Sequence, residues 1–257
     1  PLILFPIFNI SDLKLVASSY AHPLVLLFLG GFIIASAMEA CGLHKRIALN
    51  ILSLSGTSPS KIIAGFMIAT AFISMWVSNT ASTIMMLPIA VSVITIFSNQ
   101  PNIRNENFAI PLLLAIAYSA SIGGASTLIG TPTNIMLSSI LSDSYNYEIS
   151  FLDWLLIGLP VAIFLLPTVW FFLTNISFNV SKKKSNALER TIQEMRGEIG
   201  SPSFTEKIVA TVFFLTATFW VLRRSLNEIF NLNLNDTSIG LLGALLLFLI
   251  PTSKTTR

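Results

Sequence analysis

The sequence predicts an all-α polytopic membrane protein, and three observations carry that prediction. Of the 257 residues, 53% are hydrophobic and 11% charged, whereas soluble domains carry about a quarter charged residues. The mean hydropathy of +0.77 agrees. Several apolar runs approach the roughly 20 residues needed to cross a hydrocarbon core about 30 Å thick. Two of these runs are uncharged throughout yet polar or glycine-rich in the middle. Lipid does not tolerate such a break unless the backbone is buried in protein or lines a water-filled cavity.

Composition also narrows the function classes. The formal charge of +3 says little about partners, because the position of charges matters more than their sum in such a chain. The basic residues are scattered through short polar stretches, so the basic face that nucleic acid requires is not formed. The single cysteine, Cys41, excludes an internal disulfide framework. The chain opens on PLILFPIF, with no initiator Met and no signal-peptide layout, and reads there as the tail of an earlier helix. After Ile239–Ile250 it runs into PTSKTTR. These ends lead us to expect a piece of a longer protein.

Taken in order, His22–Met38 is a first span that ends at Glu39. Gly42–Leu54 differs: Leu43, Ile47, Leu49 and Ile51 are interleaved with His44, Lys45, Arg46 and Asn50. That pattern suits a helix on the membrane surface, with a simple connecting loop as the alternative. Ile62–Phe97 and Phe108–Leu141 are the two interrupted segments, separated by the polar stretch Ser98–Asn107. The acidic loop Asp143–Glu148 precedes a plain span, Phe151–Leu173. Asn179–Gly200 is polar and carries Leu188, Ile192 and Met195 on one helical stripe, which predicts a second surface helix. Phe204–Leu222 and Thr237–Ile250 complete the apolar set. Trp154, Trp170 and Trp220 suit interfacial or lipid-facing positions. Trp76 and Tyr118 read as packing residues, and His22 and His44 as interfacial ones.

The Lys/Arg bias of short loops sets orientation. If Ile62–Phe97 enters and leaves from the side that holds Lys45 and Arg46, then Lys61, Arg104, Lys182, Lys183, Lys184, Arg190, Arg196, Lys207, Lys254 and Arg257 join them inside. Only Lys14, Arg223 and Arg224 of the 15 basic residues then lie outside. A single crossing by Ile62–Phe97 would swap every later loop and destroy the bias. The charges therefore favour a hairpin.

The first break is centred on Ser74, Ser78, Asn79, Thr80, Ser82 and Thr83. Asn79 or Thr80 can cap the helix that leaves the tip, and Ser74 sits one turn back on the same face as Ser78. An ordinary two-span hairpin with a polar turn at the far surface is the alternative. The second break runs Ser121-Ile-Gly123-Gly124-Ala-Ser126-Thr127-Leu-Ile-Gly130-Thr131-Pro132-Thr133-Asn134. Paired glycines followed by Gly-Thr-Pro do not continue a regular helix, and Thr133 or Asn134 can start the next one. A glycine-rich packing seam is the alternative here; it accounts for Gly123 and Gly124 but not for the Gly130–Asn134 stretch. Neither break holds a Lys, Arg, Asp or Glu. A dianion brought to the membrane centre then meets only hydroxyls, amides and helix ends, worth about 0.3–2 kcal/mol each, too little against desolvation. Sodium ions held by neutral oxygens supply the missing charge, so the composition fits cation-coupled anion binding.

At these residues the chain resembles the divalent-anion/sodium symporter family of dicarboxylate and citrate carriers. Ser78-Asn79-Thr80 matches that family's re-entrant hairpin tip, and Gly130-Thr131-Pro132-Thr133-Asn134 its Gly-Thr-Pro-x-Asn break, although Thr133 stands where many relatives carry Pro or another small residue. Gly30–Glu39 and Gly42–Leu49 are similar to the helix and surface helix ahead of the hairpin. The resemblance implies an inverted-repeat fold, of which this chain, from the N-terminal half, holds one repeat and the start of the second. Residues 1–60 would then be scaffold and surface helix. Residues 61–150 would form half of a transport domain, with hairpin 62–97 and broken helix 108–141. Residues 151–257 would be a connecting span, a surface helix and further scaffold. It implies sodium held by Ser74, Ser78, Asn79 and Gly130, and a substrate carboxylate met by Asn79, Thr80, Thr131 and Pro132. Gly123, Gly124, Thr127 and Asn134 would shape the break. The expected function is sodium-coupled, elevator-type import of di- and tricarboxylates, succinate-like C4-dicarboxylates first among them, by a homodimer in the cell membrane. Its expected partners are the dicarboxylate, sodium and lipid, with no cofactor beyond sodium and no nucleic acid. A sulfate carrier, a sodium-independent exchanger and a non-transport membrane subunit are the alternatives. A proton antiporter lacks its carboxylate in the breaks, and an enzyme lacks any nucleophile–base pair or metal-ligand spacing.

Overall fold

The computed structural model describes residues 2–98, 108–181 and 186–250, without the side chains of residues 19, 96, 98, 186–189 and 191. The expectations for Arg104 and its loop, for Lys182, Lys183 and Lys184, for the Leu188 side chain, and for Lys254 and Arg257 lie outside the described residues. The remainder is helical, with no strand among the described residues. The helices are α1 (Leu4–Ile7), α2 (Leu13–Tyr20), α3 (Pro23–Ala40), α4 (Leu43–Ser55), α5 (Pro59–Ser74) and α6 (Asn79–Ser98). There follow α7 (Ala109–Ala125), α8 (Pro132–Tyr145), α9 (Phe151–Phe171), α10 (Asn186–Ile199), α11 (Phe204–Phe230) and α12 (Asp236–Leu249). Among the described residues, three stretches are long and apolar enough to cross a membrane: Pro23–Ala40, Phe151–Ser177 and Phe204–Phe230.

Sequence chemistry explains the boundaries. α3 and α5 each begin on Pro, whose missing N–H costs nothing in a first turn. Ser150 and Ser203 form capping boxes with Asp153 and Glu206 and start α9 and α11. α9 continues into a π-helical turn over Phe172–Ser177. The span expected to stop at Leu222 runs on to Phe230, and Arg223, Arg224 and Asn227 on this extension find partners on Asp236, Asp153 and Leu234.

That pairing defines one end of the bundle. Arg224 bridges to Asp153 at 2.8 Å, Arg223 to Asp236 at 3.3 Å, and His22 to Asp143 at 3.4 Å. Asp236 also accepts the Phe151 N–H at 2.8 Å. The opposite end is tied by Arg46, whose Nε and Nη2 each donate at 3.0 Å to the Glu206 carboxylate while Nη1 donates to the Gly200 carbonyl at 2.8 Å. This joins α4 to the entry of α11. Both partners are mostly buried, and removing one member of such a pair costs about 3 kcal/mol. Arg46→Met is therefore expected to lower the thermal midpoint of the full-length protein by several degrees in a detergent melt, with Glu206→Gln on the same chain recovering part of the loss.

The two surface helices form as expected, but they lie on protein. α10 lays Ile192, Met195 and Ile199 on the core, and α4 buries Leu43, Ala48, Leu49 and Leu52. His44 is 4% exposed rather than interfacial. Its Nδ1–H donates to the Met38 carbonyl at 3.2 Å, and burial pushes the imidazole below its ordinary value, so the ring is neutral. Trp220 also departs from a lipid-facing role. Trp220 is 3% exposed, stacks on Phe151 at 4.9 Å and donates to the Asp236 carbonyl. The Trp154 and Trp170 indoles donate to the carbonyls of Ala125 and Ser60. Trp76 packs on Phe213 and Phe151, whereas Tyr118 is exposed rather than packed.

These contacts also give the path of the interrupted segments. Trp154, near the start of α9, reaches the end of α7, and Trp170, near the other end of α9, reaches the start of α5. Phe97 at the end of α6 meets Phe108 at the start of α7, with ring centroids 4.5 Å apart. The start of α5 and the end of α6 therefore lie at the same end of the bundle, and residues 75–78 form the turn between the two helices. α5 is the most buried helix, with Ile62, Ile63 and Phe66 fully enclosed.

Candidate functional site

The hairpin tip and the break between α7 and α8 meet. Ser74, the last residue of α5, is fully buried. Its Oγ lies 2.7 Å from the Ala120 carbonyl oxygen and 2.8 Å from Asn79 Oδ1. One hydroxyl hydrogen serves only one of these acceptors at a time, so neutral oxygens of three residues are held together. The Met75, Trp76 and Val77 N–H groups close back onto the Ala71 and Ile73 carbonyls, which leaves the Ser74 carbonyl without a backbone donor among the described residues. Gly130 lies against it, since an added methyl there would stand 3.0 Å from that oxygen and 2.5 Å from the Gly124 carbonyl oxygen. A side chain at Gly124 would overlap the Asn79 carboxamide. Ser74, Asn79, Gly124 and Gly130 thus converge.

Asn134 holds the break open. Its Nδ2 donates to the Thr127 carbonyl at 2.7 Å and the Gly124 carbonyl at 3.0 Å, supplying donors that the helix no longer provides. Thr127 Oγ1 donates to the Met75 carbonyl and pins the break to the tip. Ser126 turns back onto Gly123. α8 starts at Pro132 with Thr131 as its N-cap, one to two residues before Thr133 and Asn134.

Ser78, rather than Asn79 or Thr80, caps α6: its Oγ accepts the Ala81 N–H at 3.3 Å. Thr80, Pro132 and Thr133 are exposed, and Ser78, Asn79 and Thr131 half-buried. The N-termini of α6 and α8 therefore present free N–H groups and hydroxyls beside the oxygen cluster, the arrangement that attracts an anion. A small cleft reaches Ser78 and Gly130 between Phe28, Phe32, Glu39 and Trp76. Glu39 comes from the end of α3, so a reading of the breaks alone does not find it. The carbonyls of Ser74, Met75 and Ala120 have no sequence signal at all.

Sodium-dependent dicarboxylate transporters SdcS of Staphylococcus aureus, strains USA300, NCTC 8325 and COL, are each 38% identical over 266 aligned residues. The alignment covers 100% of this chain and 51% of theirs, so the chain spans about half the length of these relatives. A family profile described as citrate transporter matches residues 1–257. Two uncharged, interrupted segments that meet at an oxygen-rich site inside a helical membrane bundle, and a match along the whole chain, lead to one assignment: the chain belongs to the citrate transporter family.

Proposed function

We propose that this chain contributes one sodium site and one carboxylate-binding end to a sodium-coupled dicarboxylate transporter of the plasma membrane. The observation that carries the reading is the convergence of neutral oxygens, with Asn79 Oδ1 and the Ala120 carbonyl each within 2.8 Å of Ser74 Oγ. A monovalent cation satisfies such a cluster, and helix breaks in transporters use freed carbonyls this way. Sodium is held by Ser74, Ser78, Asn79 and Gly130. Asn79, Thr80, Thr131 and Pro132, at the two helix N-termini, receive a substrate carboxylate whose charge the ion balances. The relatives' names specify sodium-dependent dicarboxylate transport, and the family description makes citrate the second candidate.

The finer reading follows from the resemblance. The chain holds one of two inverted repeats, the hairpin and broken helix move as part of an elevator against scaffold helices that include α3, α11 and α12, and the protein works as a lipid-embedded homodimer.

The test is uptake of radiolabelled succinate by the full-length protein in liposomes, with an inward sodium gradient against a potassium control. Sodium-dependent uptake is expected, reduced to background by Asn79→Ala and by about tenfold or more by Thr80→Ala, as for loss of a charge-assisted hydrogen bond. Normal transport by both variants would sink the site; uptake indifferent to sodium would replace symport with exchange.

A further inference from the structure

Hydroxyls inside these helices follow a rule with informative exceptions. Thr83, Ser92, Thr95, Ser119 and Thr216 each turn back onto the carbonyl four residues earlier, the usual way a helical Ser or Thr satisfies itself. Thr70 and Ser82 do not. Both are 0% exposed, and the oxygens Thr70 Oγ1 and Ser82 Oγ have no hydrogen-bond partner among the described residues. Leaving a buried hydroxyl unpaired costs about 1–3 kcal/mol, and each such group in a folded protein calls for an explanation, an ion or a water foremost.

Their placement supplies one. Trp76 is the centre of the tip, and Thr70 and Ser82 stand six residues to either side of it. In a hairpin these positions share one depth, about 6 Å beyond Ser74 and Ser78 at 1.5 Å per residue. Counted from the turn, Ser74 and Ser78 come first on the two arms, Thr70 and Ser82 stand one helical turn further, and the buried Phe66 and Met86 a further turn on. Two hydroxyls are too few ligands to hold a cation alone, but they suit a water, which takes about three polar partners when buried.

Building on the sodium reading above, we propose that Thr70 and Ser82 hold a buried water whose third partner is the cation at the tip. Both are then positioning residues for the ion: they fix the water on its inner side, and through it the ion's fit. The two hydroxyls also bear on ion choice, because a smaller cation such as lithium draws further from a fixed water than sodium does.

The experiment is a sodium titration of the thermal midpoint of the full-length protein in detergent, repeated with lithium. Variants are Thr70→Val, Ser82→Ala, the pair together, and Thr70→Ser with Ser82→Thr as hydroxyl-retaining controls. The pair is expected to raise the half-stabilising sodium concentration about tenfold, each single change about threefold, and the controls not at all. The sodium-free midpoint should stay constant or rise, since removal of an unpaired hydroxyl relieves its cost. A sodium midpoint unchanged in the pair, while the parent protein responds to sodium, overturns this inference alone. A parent protein that sodium does not stabilise overturns the cation site and the inference with it.

Discussion

Gly124→Ala is expected to leave the protein folded but largely blind to sodium, while Gly123→Ala, one residue earlier, removes folded protein altogether. A methyl on Gly124 falls on the Asn79 carboxamide, with Nδ2 at 3.1 Å and Cγ at 2.8 Å. That carboxamide ends a movable side chain, so it swings aside at little cost to stability. It is also the proposed sodium ligand, and losing one interaction with a charge of about 1.5–3 kcal/mol raises the sodium requirement about 10- to 100-fold. A methyl on Gly123 instead meets backbone, with Ala71 Cα at 2.6 Å and its carbonyl carbon at 2.7 Å. Nothing there rotates away, and α5 and α7 must separate along the seam that buries Ile73 and Ile116. Overpacking costs about 1–3 kcal/mol, and more where backbone is struck. Yield of monodisperse protein on size exclusion checks the second outcome, and a sodium titration of the thermal midpoint checks the first. Two variants that behave alike would show that the paired glycines have a single role.

The same two glycines show what residue types reveal and what they conceal. Read from the sequence, a helix break and a packing seam are rival accounts of Gly123 and Gly124. In the fold Gly123 is seam, against Ala71, and Gly124 faces the site; α7 itself continues to Ala125, and the chain leaves the helix only at Ser126–Thr131. The spans were legible because twenty apolar residues have few other uses, and the surface helices because α4 and α10 keep one apolar stripe. Burial was less legible. A Trp at a helix end looks the same whether it meets lipid or, like Trp220, stacks on Phe151 and bonds to Asp236. Arg223 and Arg224 signalled the end of a span, but only the positions of Asp153 and Asp236 show that α11 continues past them.

Side-chain ligands were legible and main-chain ligands were not. Ser74, Ser78 and Asn79 stand out as polar residues in an uncharged run, yet the Ala120 carbonyl, half of the reason Ser74 is placed where it is, belongs to a residue with no polar side chain. Which oxygens a cation meets depends on where the helix lets go of its carbonyls, and that depends on tertiary packing rather than on residue type. Caps follow the same logic. Ser78, Asn79 and Thr80 are all competent N-caps, and the short turn from Met75 to Val77 selects Ser78.

Asn134→Ala is expected to abolish sodium-dependent uptake and also to lower the thermal midpoint, a combination that separates it from a change in a ligand. Asn134 is 8% exposed and touches no proposed ion position directly. Its amide serves the Gly124 and Thr127 carbonyls, which lie on the stretch that departs from helix. Removal strands two acceptors, at about 1–3 kcal/mol each, so the loss of stability exceeds that of Asn79→Ala. The Gly124 carbonyl also faces Gly130, and once released the break relaxes and the tip loses its partner surface. Asn134→Asp sharpens the test. It keeps the size of the side chain but replaces the amide donor with a second acceptor, so two carbonyls face a carboxylate oxygen and the destabilisation is greater than with alanine. Melting curves and uptake measured on the same preparations check both variants. If Asn134→Ala melts like the parent and transports normally, the carbonyls find donors elsewhere, and the break is held by Thr127 and its contact with Met75 alone.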